Sequence, residues 1–294
     1  MATPGYTALP STTHFSFEYK NELNAAAAVA LGQALAATAE RDFATMSDWF
    51  GGEVPGNGPI LTKINVGSGG ASNDNVNNIN LTLGATADFD LARWTLVAEV
   101  MEIFMAIDAL GWKPGDSSGE ALSQLGANTL YSSQVFGLNG PVQWLDSSVN
   151  QTDPTLSRPD FVTAPKPTDS DFPSFGCALL FLYYLRSQLG FSTKAVVRAK
   201  ANSLAGTYTT LTQAGDGLAS FMRAIEARFP SGTPCGLTGS ENPFPIALPG
   251  ALSTRQLMAH DEMDPRLLGQ RIRANAASGQ LRAVLNSNRP VSLV

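Results

Sequence analysis

The chain has 294 residues, 44% of them hydrophobic and 15% charged, with a formal net charge of −6 and only 2 cysteines. Ample apolar content with so small a net charge excludes a disordered chain, and the charge density falls well below the roughly 25% of ordinary globular proteins. With 19 basic residues and no basic cluster, nothing marks a phosphate-binding surface, so no nucleic-acid partner is expected. No apolar run reaches the about 18 residues of a membrane span, so no transmembrane segment is expected either.

In chain order, residues 13–20 alternate polar and aromatic, with Phe15, Phe17 and Tyr19 on one side, which predicts a half-buried strand. Asn21 or Asn24 caps a long Ala-rich helix to about Phe50. Leu31, Leu35, Phe43, Met46 and Phe50 form its apolar face, and Gly51-Gly52 stops it. Strands follow at 60–66 and 76–83, separated by Gly67-Ser68-Gly69-Gly70, a turn rather than a phosphate cradle because no helix opens after it. Asp88 or Asp90 caps a helix over 91–110 that is apolar all round, and hence buried on most sides. A further helix runs over 118–135, with Asp116 and its neighbouring serines as the cap.

Residues 146–173 carry Pro154, Pro159, Pro165, Pro167 and Pro173, which reads as a linker or long surface loop. The second half is helical at 175–189, 192–203 and 216–229, then loop to Pro249, with one or two short helices in the tail. The expected organisation is an α/β lobe over 1–145, the Pro-rich segment 146–173, a helical lobe over 174–250 and a C-terminal arm over 251–294. The fold class is α+β, a small mixed or antiparallel sheet with buried helices followed by a mainly helical lobe.

One segment carries the chemistry. Within the buried helix Glu99 and Glu102 are the only charged residues between Arg93 and Asp108. A buried carboxylate is costly unless it is paired, protonated or bound to a cation. The two glutamates and Glu120 could therefore share protons, pair with a base such as Arg93, hold a hard cation, or line a cleft partly exposed.

The order strand, helix, strand, edge strand, buried helix, helix, with Ala98-Glu99-Val100-Met101-Glu102 on the first helix and Gly119-Glu120-Ala121-Leu122 on the next, resembles the gluzincin, thermolysin-like metallopeptidases. Their buried helix bears His-Glu-x-x-His, two histidines four apart converging on zinc beside a Glu that activates water. The resemblance implies that Glu99 is the general base, vestigial or actual, and that Glu120 is the third ligand. It also implies that Tyr184, from the helical lobe, assists a tetrahedral intermediate, although core packing is the commoner use of such an aromatic. The sequence departs from the pattern at both histidines, where Ala98 and Glu102 stand. Zinc is accordingly not expected, and no cofactor is; Ca²⁺ or Mg²⁺ could use Glu102 and Glu120 only if a hard cation binds.

The resemblance therefore implies a catalytically silent, metallopeptidase-like protein acting by binding, as an exported interaction, structural or virulence-type factor. Its protein or small-molecule ligand would sit in the cleft between lobes. Two alternatives stand beside it: a hydrolase using the three carboxylates without zinc, and an oligomeric assembly component, such as a homo-oligomer, suggested by the low charge density. The N-terminal sixteen residues lack the basic start and apolar stretch of a signal peptide. The low charge and many Ser, Thr and Asn lean toward export but leave a cytoplasmic placement open. Cys177 lies in an apolar run and reads more readily as a buried thiol than as the partner of Cys235. The acidic segment 259–264 around His260 reads as a solvated face, and no Gly-x-Ser-x-Gly elbow accompanies His14.

Overall fold

The computed structural model describes residues 2–56, 58–67, 70–83, 88–108, 111–131, 139–149, 158–199 and 201–239. The 251–294 arm and the His260 segment lie outside these described residues, as do Ser68, Gly69 and the end of the helix expected over 118–135.

Five strands form one mixed sheet: β1 (Tyr6–Ala8), β2 (Phe15–Lys20), β3 (Ile60–Val66), β4 (Ala71–Asn73) and β5 (Asn78–Leu83). They lie in the order β1-β2-β3-β5-β4, with the three central strands parallel and the two edge strands antiparallel to their neighbours. Helix α1 (Ala25–Trp49) makes the crossover from β2 to β3, which a parallel pair requires. The Asn24 side chain accepts from the Ala27 N–H and caps it. Period-two alternation turns Phe15, Phe17, Ile60, Ile64, Ile79 and Leu81 to one face, where all are buried. On that face lie α1 and α2 (Phe89–Ile107), which contact the sheet and each other. The other face carries Ser16, Lys63 and Asn80, half-buried and polar.

Helix α3 (Ser117–Leu130) packs on α2, and α5 (Phe172–Tyr183) packs on α3 and on α4 (Asn139–Asp146). The chain continues through a π-helical turn, Tyr184–Gln188, into α6 (Thr193–Arg198), α7 (Leu204–Thr212) and α8 (Gly217–Arg228). The mixed α+β class with a helical second half is the one the sequence predicts. Four elements escape the sequence reading, β1 and β4, three residues each, α4 and α7, and the helix expected over 192–203 ends at Arg198. Short segments bury too few side chains to show a period.

The buried apolar side chains join into one cluster running from Leu9 to Phe229. The two halves thus share a continuous core. At its distal end Arg158, wholly buried, donates to the Leu145 carbonyl (2.8 Å), to Glu226 Oε1 (2.7 Å) and to the Phe229 carbonyl (2.9 Å) while lying over the Trp144 ring. It ties the Pro-rich segment to α4 and α8. Cys177 and Cys235 are both free thiols, the first buried. No helix among the described residues is long and apolar enough to cross a membrane.

Candidate functional site

The β4–β5 register pairs Asn73 with Ile79 and Ala71 with Leu81. Since Ile79 and Leu81 face the helices, so does Asn73, and an amide is thereby delivered to the surface of α2. The turn that follows is built around Asp74. One carboxylate oxygen of Asp74 accepts the N–H groups of Val76, Asn77 and Asn78, each at 2.9 Å, and these donors hold its pKa down at about 2 although partial burial opposes them. Asn75 adopts a left-handed φ of 59°, tolerated by asparagine, and its N–H donates to Asn73 Oδ1 at 2.8 Å. With its oxygen so committed, the Asn73 amide must present its NH2 to the helix. It donates to Glu99 Oε2 at 2.8 Å and Glu102 Oε2 at 2.7 Å.

Glu99 and Glu102 are three apart on α2 and therefore neighbours on its surface. Glu120 arrives from the first turn of α3. The approach of α3 depends on two glycines. A Cβ at Gly126 would lie 2.9 Å from the Met101 side chain, and one at Gly119 would lie 1.9 Å from the Lys113 carbonyl oxygen. Without a side chain at 119, Pro114 and Gly115 can fold against α3 and wall the site. Gln124, one turn on, donates from Nε2 to Glu120 Oε1 at 2.6 Å. The Glu102 and Glu120 carboxyls line the same hollow, where the charge of Glu120 favours a protonated Glu102.

A fourth carboxylate, Asp169, comes from the Pro-rich segment. That segment is pinned to α3 by a reciprocal pair, the Ser117 N–H to the Lys166 carbonyl (2.9 Å) and the Lys166 N–H to Ser117 Oγ (3.0 Å), and by the Lys166–Asp171 ion pair. The result is a polar cavity of about 220 Å³ lined by Asn73, Asn75, Glu99, Glu102, Glu120 and Asp169, together with Pro114, Gly115 and the first residues of β4. Among the described residues, no Lys, Arg or His lines it.

Like charges gathered away from water hold on to protons. Burial, with the charges of Glu120 and Asp169 adding to it, pushes the Glu99 pKa up to about 7 against the opposing Asn73 amide. Burial and then the neighbouring Glu99 and Glu120 push Glu102 up to about 8. Glu120 is also raised, by burial first, although the Gln124 and Glu102 hydrogen bonds favour its charged form.

The three glutamates singled out in the sequence thus meet at one site. Asn73 and Asp169 were missed. Asp169 sits in a segment whose prolines masked everything but its irregularity, and Asn73 is one asparagine in an Asn-rich stretch, distinguishable only by strand register. Arg93 is not the counter-ion: it bonds Asp90 and the Ala34 carbonyl instead. Ala98 is buried in the core and is not part of the cavity's lining. Tyr184 does not reach the cavity either. Its ring packs on Phe181 and Phe221, and it is almost wholly buried, because the π-helical turn directs it into the aromatic cluster of the second half. The cavity lies between β4, α2, α3 and the Pro-rich segment, rather than in a cleft between two lobes.

A zinc ion held through two helix histidines does not fit these residues, since Ala98 has no lone pair and the surrounding donors are oxygens. Among the described residues no group of three or more His, Cys, Asp or Glu side chains is arranged to hold a metal ion. What the arrangement offers chemically is a set of proton-sharing carboxyls with one member, Glu99, poised to exchange a proton near neutrality. Comparison with protein families, with curated proteins and with solved structures returned no match for this chain.

Proposed function

We propose that this chain is a catalytically silent, metallopeptidase-like protein that acts by binding, and that its ligand presents a cationic ammonium or guanidinium group to the acidic cavity. One observation carries the reading. Four carboxyl groups from two helices and a pinned loop converge on one small polar cavity that no basic side chain of the described residues lines. A buried like-charge cluster that the protein does not neutralise itself is suited to neutralisation by a guest. Glu99 and Glu102 accept from Asn73, and Glu120 accepts from Gln124, before a guest arrives, which lowers the ordering cost of binding.

Nuclear magnetic resonance titration with methylguanidine and butylamine, against neutral butanol, tests this. Shifts confined to Asn73, Glu99, Glu102, Glu120 and Asp169 and induced only by the cations are expected. Equal shifts with butanol, or none at these residues, would overturn it.

A hydrolase that uses the carboxylates without zinc is the second reading, favoured by the meeting of Glu99, Glu102 and Glu120 at one cavity, where burial raises the pKa of each. A base and an acid with distinct pKa values side by side can divide proton removal and proton donation between them. Turnover of any peptide, ester or glycoside in a substrate panel, abolished by Glu99→Gln, would replace the silent reading with this one.

A further inference from the structure

Charge is unevenly placed along the chain. Residues 265–294 hold five arginines, Arg266, Arg271, Arg273, Arg282 and Arg289, and none of the chain's 25 Asp and Glu residues. The acidic cavity therefore has its electrostatic complement within the same molecule. We propose that the cation taken by the cavity is an arginine of residues 265–294 of the same chain, so that the protein occupies its own site until a competing cation displaces it. The inference rests on the binding reading above and names the partner.

The path of the chain favours this occupant. A Cβ on Gly239 would lie 1.8 Å from Asn139 Oδ1, at the start of α4, and one on Gly140 would lie 2.8 Å from the Phe172 carbonyl oxygen. Phe172 opens α5 three residues after Asp169, which lines the cavity. The chain thus reaches Gly239 beside the segment that delivers Asp169. Residues 240–264, at up to about 3.3 Å each, span the remaining distance with length to spare.

The polar and apolar surroundings agree with an arginine flanked by aliphatic residues. Gln124 is 4% exposed, its Nε2 donates to Glu120 Oε1, and its own Oε1 has no hydrogen-bond partner among the described residues. That buried acceptor lies one amide's width from a carboxylate that lines the cavity. A guanidinium brings five donors in a fixed fork, more than a carboxylate alone can use. Val76 and Phe172, 42% and 46% exposed, are large apolar side chains one residue from Asn75 and three from Asp169. The runs Arg266-Leu267-Leu268, Arg271-Ile272-Arg273 and Leu281-Arg282 supply aliphatic side chains to set against them.

The test compares the full chain with the full-length variant carrying Arg266→Gln, Arg271→Gln, Arg273→Gln, Arg282→Gln and Arg289→Gln together. Methylguanidine should bind the variant about tenfold more tightly, because a competitor tethered at about millimolar effective concentration is gone. Equal or weaker binding to the variant overturns the inference and leaves the binding reading standing, whereas no binding to either protein sinks the binding reading. A second readout needs only the wild-type chain. The arginine Nε–H resonances of residues 265–294 should be displaced from those of the free 265–294 peptide, and Glu120→Gln should return them. Resonances that match the free peptide, or a displacement that Glu120→Gln leaves unchanged, overturn the occupancy. A displacement that fades on dilution assigns the arginine to a second copy of the chain and overturns occupancy within one molecule.

Discussion

Two buried polar centres adjoin one core, and they are built on opposite rules. Around Arg158 a single charge is buried completely and each of its three guanidinium nitrogens donates, to a carboxylate and to two carbonyls, with the plane over a tryptophan ring. Around Glu99, Glu102 and Glu120 several acidic groups are gathered with the Asn73 amide between two of them and, among the described residues, no base lining the hollow. The first centre is complete without anything else and holds α4, α8 and the Pro-rich segment together. The second is incomplete, open to a cavity, and its neutrality depends on protons. Buried polarity marks a site when the protein leaves it unsatisfied, and marks a structural clasp when it does not.

That contrast can be broken by substitution. The largest expected effect is at the clasp: Arg158→Met leaves the Leu145 and Phe229 carbonyls without their donor, removes one of the donors to Glu226, and should cost about 3–5 kcal/mol in urea unfolding. A loss below about 1 kcal/mol would show that the clasp is not what joins those elements. Next comes the wall of the cavity. Gly119→Ala sets a methyl against the Lys113 carbonyl oxygen and should cost about 1–3 kcal/mol through displacement of a backbone that cannot yield like a side chain. Calorimetry should show a lowered Tm, with resonance shifts at Pro114 and Gly115.

At the glutamates the sign reverses. Glu102 has a folded pKa of about 8 against 4.5 unperturbed, so below pH 4.5 both states are protonated and it costs nothing. Between about 4.5 and 8 only the unfolded chain loses the proton, and the native state becomes progressively less stable as the pH rises through that window. Glu102→Gln should therefore stabilise the protein at about pH 8, on the order of 1–2 kcal/mol, and have little effect at about pH 4. Equilibrium denaturation at the two pH values checks this, and destabilisation at the higher one would contradict the like-charge account. The smallest effect belongs to neither centre. Lys194 pairs with Asp48 at 2.9 Å on the surface, and Lys194→Met should move the unfolding free energy by no more than about 0.5 kcal/mol.

Much of this was legible before any coordinates. The period-two aromatics of β2, the 3–4 spacing of α1, the Asn24 and Asp88 caps and the all-round apolarity of α2 are local patterns, and each produced the element expected of it. The incongruity of two glutamates in that apolar helix was equally visible, and it led to the site. The resemblance to metallopeptidases also pointed to Tyr184, which the structure puts in the aromatic core with Phe181 and Phe221. A tyrosine in an apolar helix reads the same in sequence whether it faces a cleft or a core, since nothing local records which neighbour the helix will meet.

The amino-acid sequence by itself determined the α+β class, the principal helices and strands, and the fact that carboxyl groups would be carried inside. Those properties depend on side-chain periodicity and on the cost of burying charge, which act over a few turns of chain. Only the tertiary structure decided that Asn73 faces inward, that Asp169 joins from a loop some fifty residues beyond α3's first turn, and that no base among the described residues lines the cavity. Strand register and helix approach are collective outcomes of packing the whole core, and no window of sequence contains them.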